Sequence, residues 1–153
     1  MPKLIYLGVS NAIPTAQHEN THMVLVGESR VVLIDTGHNP LIRLGQAGLE
    51  YTQITDMILT HFHPDHVSGV ASFLMSSWLM GRKTELNVYG LEYTLERTRK
   101  LMDFYDWGSW PNFYPVNFIN LPAEELAPVL DCAEFSINSS PVHHMVPNIG
   151  LRI

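Results

Sequence analysis

Residues 57–69 read Met57-Ile58-Leu59-Thr60-His61-Phe62-His63-Pro64-Asp65-His66-Val67-Ser68-Gly69. A short apolar run with strand character leads straight into three histidines and an aspartate, and an apolar-periodic helix follows. Open α/β sheets present ligand sites just beyond the carboxyl ends of their strands, and the cluster falls at such a point. In extended backbone, residues two apart share a face, so His61 and His63 can approach one metal ion together. Pro64 forces a change of direction that lets Asp65 and His66 turn toward a second ion. Imidazole and carboxylate suit zinc, and also manganese or iron. A histidine-rich surface turn is the bland alternative, and it explains one stray histidine better than three histidines and an aspartate packed into six residues after a strand.

Outward from this point the chain alternates strands and helices, which predicts α/β layers. Leu4–Leu7, Met23–Val26 and Arg30–Asp35 read as strands before the cluster, and Val31-Val32-Leu33-Ile34 has the continuous apolarity of a strand buried on both faces. Asn39 and Pro40 predict the N-cap and first position of a helix that Gly48 ends. After the cluster, a helix is expected from about Val67 to Met80, closed by Gly81, then a strand over Leu86–Tyr89. Leu91–Tyr105 is an amphipathic helix with glutamates early and Arg97, Arg99 and Lys100 late, the order favoured by the helix dipole. Asp106–Pro115 is an aromatic loop with Trp107, Trp110, Phe113 and Tyr114, suited to stacking bases or lining an apolar substrate pocket, or equally to packing against a neighbour. Val116–Leu121 and Phe135–Asn138 are further strands, and Gly150–Ile153 reads as the first half of another.

Composition bounds the function. With 46% hydrophobic and 16% charged residues, the 153-residue chain has enough apolar material for a core and too little charge for disorder. No apolar stretch is long enough to cross a membrane, and the N-terminal run reads as a first strand, not a signal peptide. The single Cys132 rules out an internal disulfide, fits a reducing cytoplasm and is expected to be a small apolar residue. Any metal site is therefore built from histidine and carboxylate. A formal charge of −6 argues against a surface that grips nucleic acid all over, without excluding a local positive groove. His18, His22 and His38 are read as loop residues bordering the site and are expected to be solvated or locally bonded.

The H-x-H-x-D-H segment resembles the hallmark of the metallo-β-lactamase superfamily. Three further stretches resemble it too: Leu7-Gly8 leading to Pro14-Thr15, Asp35-Thr36-Gly37, and Pro147-Asn148-Ile149-Gly150-Leu151-Arg152. Val9 and Asn11 depart from the early loop, where small residues are usual. Leu44–Gly48 and Trp78–Lys83 are similar to the ribonuclease Z-like and arylsulfatase-like branch, whereas Pro64 stands where the tRNA-processing type usually carries glycine. The resemblance implies a metallo-β-lactamase αββα sandwich, of which residues 1–153 form a single domain supplying the N-terminal half. It implies His61, His63 and His144 as ligands of one zinc ion and Asp65 and His66 as ligands of a second. Asp65 also steers the nucleophilic water. His143 competes with His144 for the third position and otherwise stands behind the ligands or in solvent. Asp35 braces the site from behind the ligands, or more simply caps a strand end.

A bridging aspartate and a final histidine, which the resemblance also implies, do not occur in the chain, and Gly150–Ile153 ends without a turn. Three expectations follow, in order: a piece of a protein about twice as long, a half-domain that pairs with a second copy as a homodimer, or a non-catalytic remnant. The implied activity is metal-dependent hydrolysis of a phosphodiester in a small molecule or nucleic acid. A lactonase, thioesterase or arylsulfatase-like ester hydrolase is the alternative enzyme, and a metal-binding half-domain without turnover is the non-enzyme alternative.

Overall fold

A computed structural model describes residues 1–153. Six strands form one sheet in sequence order: β1 (Lys3–Gly8), β2 (His22–Val26), β3 (Val31–Ile34), β4 (Asp56–Ile58), β5 (Leu86–Gly90) and β6 (Val116–Asn120). The first two pairings are antiparallel and the rest parallel. Helices α1 (Pro40–Gln46), α2 (Pro64–Val67), α3 (Val70–Leu79) and α4 (Glu92–Phe104) make the crossovers that parallel pairing requires. A second, antiparallel sheet contains β7 (Ala127–Asp131), β8 (Ser136–Val142) and β9 (Asn148–Arg152).

The side-chain alternation of the central strands builds three layers. Leu33, Met57 and Val88 face the helices, where they join Phe73, Leu74, Leu95 and Met102 in one core. Their neighbours Ile34, Ile58 and Tyr89 are paired across β3, β4 and β5 and face the other way. There they meet Val129, Leu130, Ile137 and Ile149 of the second sheet in a separate core. Coverage on both faces is why these strands read as unbroken apolar runs. The far end of β4 is closed differently: buried Asp56 accepts hydrogen bonds from Thr55 (2.7 Å), Asn87 (3.1 Å) and Arg30 (3.2 Å). The observed order of layers is helix, sheet, sheet, and the fourth, outer helical layer of an αββα sandwich is not formed by residues 1–153. No helix is long and apolar enough to cross a membrane.

Three local expectations are corrected and one strand is added. The helix expected from Val67 to Met80 is two helices, broken at Ser68-Gly69. A Cβ at Gly69 would lie 2.3 Å from the Gly37 carbonyl oxygen and 2.6 Å from the Pro40 ring, so the chain there has no room for a side chain. Asn39 does not cap α1 with its side chain; that amide donates to Glu19 Oε1 at 3.1 Å instead. Strand β7 adds to the strands expected, although its Pro128 cannot donate to a ladder. It is tolerated on an edge strand next to an irregularity in register between Pro128 and Leu130. The expected strand over Phe135–Asn138 is longer, running Ser136–Val142. Gly48 and Gly81 lie just past α1 and α3 at φ 76° and 83°, the left-handed turn that glycine makes without strain.

The aromatic loop packs inside the chain. Trp110 stacks on Trp78 of α3 with ring centres 5.2 Å apart, and the Trp78 indole donates to the Pro111 carbonyl at 3.0 Å. Trp107 meets Phe113 and Phe118 edge-on, and buried Tyr114 donates to the Leu74 carbonyl. Burial pushes the Tyr114 phenol up to about 12.

Candidate metal centre

The site forms where three segments meet beyond the ends of β3 and β4. Asp35 follows β3 with φ 58°, and its N–H donates to the Ile58 carbonyl at 2.8 Å, which turns its side chain beneath the histidine segment. The next residue, buried Thr36, clasps that segment: its N–H donates to the His66 carbonyl at 2.7 Å, and its own carbonyl accepts from Gly69 N–H at 2.9 Å. The third segment is the β8–β9 turn carrying His144, tied in where Ile149 N–H donates to the Thr60 carbonyl at 3.2 Å.

These contacts bring His61, His63 and His144 together, with one nitrogen of each within 4.8 Å of the others. The His61 ring centre is 4.8 Å from that of His63, 4.7 Å from His144 and 4.0 Å from His66. His144 Nε2 lies 3.2 Å from His63 Nδ1. On α2, Asp65 Oδ2 is 3.4 Å from His66 Nε2, so Asp65 and His66 form a second group beside the first. His143 is exposed and has no hydrogen bond to any of these residues. His22, read as a loop residue, is instead the buried first residue of β2, with Nδ1 at 2.8 Å from the Asn20 carbonyl, and His38 pairs with the Asn20 side chain; both stay outside the cluster, as does exposed His18.

Beneath the histidines, both oxygens of Asp35 are used. Oδ1 accepts from Thr60 N–H at 2.8 Å, while Oδ2 lies 2.8 Å from the Thr60 hydroxyl and 2.7 Å from His66 Nδ1. The Thr60 hydroxyl is also 3.0 Å from His61 Nδ1. Sequence reading passed over Thr60 and Thr36. The available signal was a hydroxyl residue directly before the first histidine and another directly after the brace.

Electrostatics divide the imidazoles. Burial, helped by the neighbouring His66, pushes His61 down to about 4, so near neutral pH it is uncharged and has a lone pair to give. Burial also works against the charged form of His66, but the hydrogen bond and charge of Asp35, with the charge of Asp65, outweigh it and raise its pKa. Three converging imidazole nitrogens, one held neutral, beside a carboxylate and a fourth imidazole are a donor set that fits divalent metal ions.

Residues 2–98 match the family described as Anti-Pycsar protein Apyc1. Ribonuclease Z of Methanococcus maripaludis strain C5 is 27% identical over 97% of the chain and 46% of its own length. Ribonuclease Z of Pyrococcus abyssi is 27% identical over 98% of the chain and 47% of its own length. The chain thus spans about half the length of the curated relatives it matches. Among solved structures, the short form of human tRNase Z superposes with a TM-score of 0.79 at 22% identity, over 99% of this chain and 62% of that one. YhfI of Bacillus subtilis, a metallo-β-lactamase fold protein, superposes at 0.78 and 19% identity, over 99% and 56%. The chain belongs to the Anti-Pycsar protein Apyc1 family, and it has the metallo-β-lactamase fold.

Proposed function

We propose that the protein is a metal-dependent hydrolase, a phosphodiesterase of ribonuclease Z-like type, working with two zinc-type ions. The observation that carries this reading is the convergence of His61, His63 and His144 beside Asp65 and His66. The ribonuclease Z relatives add the phosphodiester preference. His61, His63 and His144 would hold one ion through imidazole lone pairs, and Asp65 and His66 the other, with manganese or iron as alternatives to zinc. When bound, such a pair supplies hydroxide near neutral pH and polarises the bond to be cut. Asp65, half-buried on α2, accepts a hydrogen bond from the attacking water and orients it toward phosphorus. Asp35 supports the histidines from behind through the contacts described above.

In this reading residues 1–153 are one metallo-β-lactamase-fold domain whose remaining ligands, a bridging carboxylate and a last histidine, come from a C-terminal half or a second copy. The substrate is a phosphodiester in a small molecule or in RNA. The lone Cys132 supports a cytoplasmic location.

Two measurements test it. Elemental analysis after removal of loose metal should find about two divalent ions per chain if a second copy completes the site; about one means that this chain alone is half a site, and none overturns the metal-centre reading. Hydrolysis of bis(p-nitrophenyl) phosphate and an RNA oligonucleotide should exceed hydrolysis of a lactone, and Asp65→Asn should abolish it with metal content at the first site retained. Faster turnover of the lactone would overturn the phosphodiesterase reading in favour of a carbonyl-directed hydrolase.

A further inference from the structure

Every polar group of Thr60 is engaged at the cluster. Its N–H donates to Asp35 Oδ1, its carbonyl accepts from Ile149, and its hydroxyl lies between Asp35 Oδ2 at 2.8 Å and His61 Nδ1 at 3.0 Å. A hydroxyl has one proton to donate, and a carboxylate can only accept. The proton must therefore go to Asp35, and the hydroxyl must then accept from His61. That requires His61 to carry its hydrogen on Nδ1 and leaves its Nε2 lone pair free. The same logic applies to His66, whose Nδ1 faces Asp35 Oδ2 at 2.7 Å.

We propose that Thr60 is a positioning residue of the candidate metal centre: its hydroxyl transmits the Asp35 carboxylate to His61, so that one carboxylate sets the ring orientation and tautomer of a ligand in each half of the site. His66 is held by Asp35 directly and His61 through Thr60, whereas no such partner holds His63 or His144. The inference rests on the metal-centre reading for its consequence, but the hydrogen-bond chain is a property of the metal-free protein. A hydrogen bond to the outer nitrogen of a ligating imidazole is worth about 10- to 100-fold in metal affinity.

The test uses nitrogen-15 NMR of the imidazoles in metal-free protein at about pH 8.5, two units above the ordinary histidine pKa. His61 and His66 should both appear as the Nδ1–H tautomer in the wild type. Thr60→Val, close in shape but without a hydroxyl, should move His61 alone toward the Nε2–H form, and Thr60→Ser should restore it. Asp35→Asn should disturb both. Zinc competition should show one ion bound about 10- to 100-fold more weakly in Thr60→Val, with the ion at His66 less affected. His61 found as Nε2–H in the wild type would overturn the proposal, whatever the variants do. So would a folded Thr60→Val protein with unchanged tautomers and affinity. A wild type with the expected tautomers that binds no zinc would sink the metal-centre reading and leave the hydrogen-bond chain standing.

Discussion

At Asp35 the backbone adopts φ 58°, which an L residue holds only when its surroundings insist. Here they do: the N–H is tied to Ile58 and the carboxylate to Thr60 and His66, so the strain is tied to the one place where a carboxylate must point under the histidines. The histidines themselves give a pH signature. His61 titrates near 4 in the folded protein, against an ordinary 6.5, so between those values the unfolded chain binds a proton that the native one refuses. Stability from this group therefore falls as pH drops through that window, and buried His22 is shifted in the same direction. His66 is raised, so its contribution is full below the ordinary value and is lost as pH climbs through its folded pKa. In metal-free protein, His61→Gln is expected to flatten the fall of Tm between pH 6.5 and about 4, and His66→Gln to flatten the loss of Tm as pH climbs above 6.5, read by calorimetry in a chelating buffer. An unchanged slope in His61→Gln would contradict the assignment. The two adjacent histidines of the β8–β9 turn separate equally cleanly. His144→Ala should lower zinc affinity at the first position, while exposed His143→Ala should leave the metal content as it was.

At the scale of elements, the site depends on how closely the turn after β3 approaches the start of α3. Gly69 sits at that contact with its N–H on the Thr36 carbonyl. Gly69→Ala should cost about 1–3 kcal/mol in urea unfolding, the range for overpacking, and should weaken metal binding as well because α2 carries Asp65 and His66. Gly45 offers the contrast. It lies in α1, is exposed and has open space at its Cβ position, so Gly45→Ala should stabilise by about 0.5–1 kcal/mol with metal binding unchanged. Two glycines with opposite signs follow from what each Cβ would touch, not from glycine content.

Across the whole molecule, the candidate ligands come from both sheets, so packing between the sheets and metal binding are coupled. Ile137 on β8 is almost fully buried against β3, β4 and β5, far along the strand from His144. Ile137→Ala should cost about 2–5 kcal/mol and should also lower affinity at the His61–His63–His144 position, measured by zinc titration of the folded fraction. Zinc at a hundred times its Kd should in turn stabilise the wild type by about 2.7 kcal/mol, visible as a rise in Tm that a chelator reverses. Much of this was legible in the chain itself. The alternation that makes layers, the position of H-x-H-x-D-H after β4, and the D-T-G turn after β3 are local patterns, and local patterns follow from strand and helix periodicity and from turn chemistry. The break at Ser68-Gly69, the strand around Pro128, the approach of His144 to residues some eighty positions earlier, and the double duty of Thr60 were settled only by the tertiary structure. Each depends on a contact between segments distant in sequence, and no spacing along one segment encodes how closely a second will pack against it.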